Sequence, residues 1–177
     1  MEYRTRIIFS GQSFEVPKHI VRMDSKRVHG WQLRYGPKWT LFSDYSDDGS
    51  GAAAALMAAT AELARRINKL PAPHGLRSEA HPDKANGMPL GISGPTSRRR
   101  QVHTALEYYL QVTYPVPGGK PVNRSIYIAT ENTLTRERYQ AALKKAIAMR
   151  DTGVRKFKLA TTKAKREQAG ASSLVMR

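Results

Sequence analysis

A weak internal repeat constrains the fold of this chain more than any other feature. Short stretches that alternate apolar and polar residues lie between 31 and 43, and an alanine-rich helical pattern follows over about 51–67. The same order recurs between 107 and 130, again followed by a helical pattern over about 135–150. Such a repeat marks one supersecondary unit used twice. We therefore predict an α+β protein with two tandem units, each a three-stranded antiparallel sheet packed on one helix.

Proline and glycine set the predicted domain boundaries. Residues 70–91 hold four prolines and three glycines without apolar periodicity, which is typical of a linker. We predict an N-terminal unit over 1–70, a linker over 71–87 and a second unit over 88–152. Residues 153–177 carry seven basic side chains, one acidic side chain and few large apolar ones, so we predict a basic, flexible tail there.

The first unit is predicted to open with a hairpin and to continue as a three-stranded meander. Strand patterns over 3–9 and 13–16 flank a Ser-Gly-Gln turn, and three more strand patterns follow between 20 and 43. Residues 47–50 (Asp-Asp-Gly-Ser) are predicted to cap the following helix and to place negative charge at its positive end. A cluster of Asp44, Asp47 and Asp48 could also hold a divalent ion, but the helix terminus is the simpler explanation.

Strand periodicity divides the second sheet into a buried and an exposed face, since successive side chains point to opposite sides. If Leu110, Val112, Ile126 and Ile128 are buried under the final helix, the opposite face carries aromatic, amide and hydroxyl groups. These groups belong to Tyr109, Gln111, Thr113, Ser125 and Tyr127. Basic residues are expected at the rim of this face, where they can pair with phosphates, namely Arg98, Arg99, Arg100, Lys120 and Arg124.

The same argument applied to the first sheet buries Trp31, Leu33, Trp39 and Leu41. It exposes Gln32, Arg34, Lys38, Thr40 and Phe42, with Arg22 nearby. We predict that Arg22, Arg34 and Lys38 add DNA contacts. The alternative for both sheets is that these are ordinary solvated positions, because an antiparallel sheet commonly has one wet face.

Net charge narrows the class of partner. The 177 residues carry 30 basic and 14 acidic side chains, a formal charge of +16. Such a field attracts polyanions over long distances. No segment approaches the roughly 20 apolar residues of a membrane span. We therefore expect a cytoplasmic, nucleoid-associated protein with a nucleic-acid partner and no membrane partner.

No motif in the chain indicates catalysis. The sequence has no cysteine, which excludes disulfides, thiolate zinc sites and a cysteine nucleophile. The five histidines show no metal-ligand spacing, and no nucleotide-binding or hydrolase motif is present. We predict that the protein is not an enzyme and binds no metal or cofactor.

The stretch G-I-S…EYYLQVTY…NRSIYIATENT…RYQAALKKAIAM resembles the Apetala/ethylene-response-factor type of DNA-binding domain, which also occurs in phage and mobile-element proteins. The resemblance covers about 88–150, with a degenerate first copy at about 18–68. It implies a three-stranded sheet that reads the major groove. Tyr109, Gln111 and Thr113 would match outward residues of the family's middle strand, and Ser125 and Tyr127 would replace the Arg and Trp of its third strand.

These observations together predict a double-stranded DNA-binding regulator or accessory protein whose sheet lies in the major groove. RNA binding, including a ribosome-associated role, stays open as an alternative, because basic charge and exposed tyrosines suit RNA equally well. A nuclease or recombinase subunit and a protein-interaction module are the further alternatives. The oligomeric state does not follow from the sequence.

Overall fold

The computed structural model describes residues 2–79, 87–99 and 105–175, and the chain divides into two units. The first unit comprises Met1–Pro73 together with Thr162–Arg177, and the second comprises His74–Thr161. The architecture is α+β, with two antiparallel three-stranded sheets and two long helices. A separate two-stranded sheet accompanies the first unit, so the two units are not identical in their strands.

The first unit follows the predicted element order. Strands β1 (Tyr3–Ile7) and β2 (Ser13–Pro17) form the two-stranded antiparallel sheet. Strands β3 (Ile20–Asp24), β4 (His29–Leu33) and β5 (Thr40–Ser43) form a three-stranded sheet in the order β3-β4-β5. Helix α1 (Ala52–Lys69) follows.

The core of the first unit lies between α1 and the sheet. Trp31 and Leu33 on β4 and Leu63 and Ile67 on α1 are almost completely buried. Trp31 Nε1 also donates a hydrogen bond of 2.8 Å to the carbonyl oxygen of Ala52 at the start of the helix. This bond satisfies the polar atom of the largest buried side chain.

The capping of α1 differs from the prediction. The N-cap residue is Gly51, without a side-chain cap, and the first helical turn has no acidic residue. Polar side chains before the helix instead accept hydrogen bonds from the backbone that leads into it. Ser46 Oγ accepts a hydrogen bond from Gly51 N, and Asp48 Oδ1 accepts one from Ser50 N.

The orientation predicted for β5 is wrong. Phe42 pairs with Trp31 and packs against the core, whereas Leu41 pairs with Gln32 on the opposite face and is 43% exposed. Thr40 pairs with Leu33, so it too lies on the side of the helix. Trp39 precedes the strand and is 65% exposed. The sequence could not decide this orientation, because Leu41 and Phe42 are adjacent and both apolar.

The second unit contains one sheet, a short 3-10 turn and the first part of helix α2. Strands β6 (Ile92–Arg99), β7 (Leu106–Tyr114) and β8 (Val122–Thr130) pair in that order. The buried residues predicted for β7 and β8 are confirmed, and they pack against Ala142 and Ala146 of α2. Ile147 of the same helix is 37% exposed. Thr135 precedes the helix and accepts a hydrogen bond from Arg138 N.

Helix α2 (Arg136–Val175) is much longer than the sequence predicts. The expected flexible tail after Gly153 is helical, because its lysines, alanines, arginines and glutamine favour a helix and no proline interrupts it. Within the first unit, Thr162 Oγ1 accepts a hydrogen bond of 3.1 Å from Ala72 N, and Ala169 joins the core. The scarcity of large apolar residues after Gly153 therefore does not indicate a lack of secondary structure there.

Candidate nucleic-acid interface

The face of the β6–β7–β8 sheet that α2 leaves uncovered carries polar and aromatic side chains in register. Gln111 pairs with Ser93 and Ser125, and Tyr109 pairs with Thr96 and Tyr127. This face, which we call the open face, consists of eleven positions: Ser93, Thr96, Arg98, Glu107, Tyr109, Gln111, Thr113, Asn123, Ser125, Tyr127 and Thr130. Register shifts between Ser93 and Thr96 and at Tyr108–Tyr109 keep these positions on one side despite the extra residues.

Gln111 lies on the central strand, where its side chain is held by a neighbour. The hydroxyl of Ser125 donates a hydrogen bond of 3.0 Å to Gln111 Oε1. A carboxamide oxygen has a second lone pair, and its nitrogen has two donors. The pair can therefore present both an acceptor and donors, which is the combination that hydrogen-bonds to an adenine edge in the major groove.

Two tyrosines form the aromatic part of the open face. The rings of Tyr109 and Tyr127 meet edge to face, with centroids 5.6 Å apart. The Tyr109 hydroxyl donates to Glu107 Oε2, and the Tyr127 side chain is 49% exposed. Edge-to-face packing fixes the rings relative to each other. Tyr127 therefore presents an exposed ring of defined orientation in the middle of the edge strand β8.

The basic residues predicted at the rim of the open face do not all lie on the same side of the sheet. Arg98 lies on the open face opposite Glu107. Arg99 is exposed at the end of the edge strand β6 but pairs with Leu106, so the register places it on the other side, at the rim of the open face. Lys120 is exposed in the connection between β7 and β8. Arg124 is exposed but pairs with Val112, so the register places it on the helix-covered side of an edge strand. Arg100 lies outside the described residues.

The first unit presents a smaller and less polar face. Gln32 and Leu41 lie on it, and Arg34 and Lys38 are exposed in the connection between β4 and β5. Arg34 donates a hydrogen bond of 2.6 Å to Gln32 Oε1, and its guanidinium carbon lies 5.0 Å from the ring centroid of Trp39. Exposed Trp39 is the feature that sequence reasoning missed, because a tryptophan in a strand pattern was assigned to the core.

Arg22 is placed in a buried ion-pair network. Its guanidinium binds Asp44 with both terminal nitrogens, at 3.0 and 2.6 Å, and it also binds Asp24. The side chains of Arg22 and Asp44 are 7% and 0% exposed. Burial disfavours the charged form, but the hydrogen bonds to the two aspartates outweigh it and raise the pKa of Arg22. We therefore leave Arg22 out of the proposed interface.

Carboxylate and histidine positions give no metal centre in the part of the chain that the structure describes: no group of three or more such side chains lies close enough to hold an ion. Asp44 is occupied by Arg22, and Asp48 accepts from the backbone at the start of α1. Among these same residues, no helix is long and apolar enough to cross a membrane.

Comparison with known proteins adds no relative. No family model matches the chain, and neither a curated protein nor a solved structure matches it. The resemblance to the Apetala/ethylene-response-factor type of domain thus stays a prediction.

Proposed function

We propose that the protein binds double-stranded DNA through the open face of the second unit, with the sheet lying in the major groove. The observation that carries the proposal is the ordered row of side chains on this face, with the Gln111–Ser125 pair beside the Tyr109–Tyr127 pair. Strands are one of the elements that proteins place in the major groove to reach base edges. The charge of +16 supplies the attraction to phosphates.

We assign the recognition of bases and the binding of phosphates to different residues. Gln111 is the base-reading residue, because it alone on the open face combines a central position with a carboxamide that a neighbour orients. Tyr127 and Thr113 line the same surface and contact sugars or base edges. Arg98, Arg99 and Lys120 bind phosphates, which fixes position without reading sequence. Basic residues of α2 between Lys156 and Arg166 add further phosphate contacts.

The repeated order of strands and helix extends the proposal to the first unit. Both units then serve as DNA-binding modules of one kind, as in a degenerate tandem copy of the Apetala/ethylene-response-factor type of domain. Arg34 and Lys38 contribute phosphate contacts from the first unit. The cellular role consistent with such a binder without catalytic residues is that of a regulator or accessory factor acting on DNA in the nucleoid, including the DNA of a phage or mobile element.

The test measures duplex affinity over a range of salt concentrations. Replacing Arg98 and Arg99 together by alanine should weaken binding to every duplex and flatten the salt dependence by roughly one unit of slope per lost phosphate contact. Gln111→Ala should instead lower the preference among sequences, at a cost of about 1–3 kcal/mol on the preferred one. Fluorescence anisotropy with a panel of labelled duplexes measures both quantities.

The matched control removes two positive charges elsewhere in the same unit. Lys144 and Arg155 are exposed on α2, and the double alanine variant has the same net charge as the Arg98/Arg99 variant. If the control loses as much affinity and slope as that variant, the open face is not the attachment surface. If structured RNA outcompetes duplex DNA at equal salt, the protein is an RNA binder instead.

A further inference from the structure

The exposed aromatic ring of Trp39 lies in the first unit and is not part of the open face of the second unit. The chain has two tryptophans. Trp31 is fully buried and hydrogen-bonded, whereas Trp39 is 65% exposed. We propose that Trp39 is a stacking site for an unpaired nucleobase, so that the first unit binds single-stranded nucleic acid.

The position of Arg34 supports this ligand class. Its guanidinium lies over the Trp39 ring at 5.0 Å and is tied to Gln32 by a hydrogen bond of 2.6 Å. An aromatic ring backed by a cation is the usual means of binding single strands, because each base has a face for stacking and each nucleotide carries a phosphate. Since Arg34 covers part of the ring, the remaining exposed surface is where a base would stack.

The connection that carries Trp39 is held in place from α1. Arg66 donates hydrogen bonds to the carbonyl oxygens of Tyr35 and Lys38, at 2.9 and 2.6 Å, and to Thr40 Oγ1 at 2.6 Å. Glu62 in turn binds Arg66 Nε at 2.8 Å. Hydrogen bonds from Arg65 and Arg66 lower the pKa of Glu62 to about 2, so the carboxylate stays charged at neutral pH. A preformed connection reduces the ordering cost of binding.

The local charge favours a nucleic acid over an acidic protein or an apolar partner. Arg34 and Lys38 precede Trp39 in the same connection and are exposed, and Glu62, which binds the Arg66 that holds this connection, is paired with two arginines. Bases in a duplex are stacked on each other and cannot offer a face to Trp39. The ligand must therefore be a base in a single strand, a loop or an end.

Tryptophan fluorescence of the full chain provides the test, with short oligothymidine and oligouridine as probes. Because Trp31 is buried, quenching on titration reports Trp39. We expect both strands to quench the fluorescence, and the comparison between them distinguishes single-stranded DNA from single-stranded RNA as the preferred source of the base. Because both Trp39 variants lose this reporter, their affinities are measured by fluorescence anisotropy with the same oligonucleotides carrying a dye label. Trp39→Ala should weaken binding of the preferred strand by roughly five- to a hundredfold, whereas Trp39→Phe should retain most of the affinity.

The control is Tyr45→Ala, which removes a 95% exposed aromatic side chain of the same unit. It should leave binding of both strands unchanged. Absence of quenching by either strand, or an equal loss in the Trp39→Ala and Tyr45→Ala variants with unchanged circular dichroism, would overturn the proposal. Duplex affinity should fall much less than single-strand affinity in Trp39→Ala, and Gln111→Ala should show the reverse, which separates this proposal from the one on the open face.

Discussion

A basic side chain contributes to DNA binding only where its charge is available to a phosphate. Arg22 and Arg34 are both basic residues in the strand region of the first unit, yet Arg22 is neutralised by buried Asp44 and by Asp24, and Arg34 is exposed beside Trp39. The sequence shows the charge of each residue but not its partner. A list of basic residues therefore includes residues whose charge is already paired within the protein. The ion-pair geometry shows which basic residues remain available to a phosphate.

The network around Arg22 leads to a prediction about stability. Arg22→Met removes the cation and leaves the Asp44 carboxylate, 0% exposed in its side chain, buried without its partner. Loss of one member of a buried ion pair typically costs about 3–5 kcal/mol. We expect a loss of that size in the free energy of unfolding, measured by urea denaturation followed by circular dichroism.

The double variant Arg22→Met/Asp44→Leu supplies the control. Since an apolar pair can replace a buried ion pair with little loss, it should recover much of the stability. A loss below about 1 kcal/mol in Arg22→Met alone would contradict the network.

At the scale of elements, apolar periodicity predicts the existence and the type of each helix and strand better than it predicts the residues at which the element ends. The strands of the first unit, β7, β8 and the start of each helix lie close to their predicted positions, because alternation and turn residues are local signals. The orientation of β5 was missed because adjacent Leu41 and Phe42 fit either face. The extent of α2 was missed because its last part is stabilised by helix propensity and by contacts such as Ala72 with Thr162, which no local pattern reveals.

The candidate site, too, is predictable from the sequence only in part. The open-face positions of Tyr109, Gln111, Thr113, Ser125 and Tyr127 follow from strand alternation, and the structure has them there. Their mutual contacts do not follow from alternation, since they depend on which residues pair across strands.

Gly153 within α2 gives the prediction at this scale. A glycine inside a helix usually lowers stability by about 0.5–1 kcal/mol relative to alanine, so an alanine there should help. A Cβ at this position would lie 2.4 Å from Tyr114 Cδ2, however. We therefore expect Gly153→Ala to destabilise the protein by about 1–3 kcal/mol, as measured by thermal unfolding.

Gly170 in the same helix is the matched control, because a Cβ there would meet nothing within 4 Å. Gly170→Ala should be neutral or stabilising. If both substitutions stabilise the protein equally, the close packing of Tyr114 on α2 is not what excludes a side chain at 153.

For the whole molecule, we propose that the large positive charge draws nucleic acid to the chain, while the open face determines how the nucleic acid is held. Charge acts at long range and is screened by salt, so it cannot by itself choose a surface. In the proposed function, ordered and uncharged groups select the surface, and Gln111 is the central one. Charge alone would not favour the open face over α2, to which the proposal assigns only additional phosphate contacts.

The most direct test of the open face is nuclear magnetic resonance of the isotopically labelled full chain during titration with duplex DNA. We expect the side-chain amide signals of Gln111 and the backbone amides of β6, β7 and β8 to show the largest changes. Lys144 and Arg155 on α2 should change little. If the largest changes fall on α2 while the Gln111 amide stays unperturbed, the duplex does not lie on the open face and the account is contradicted.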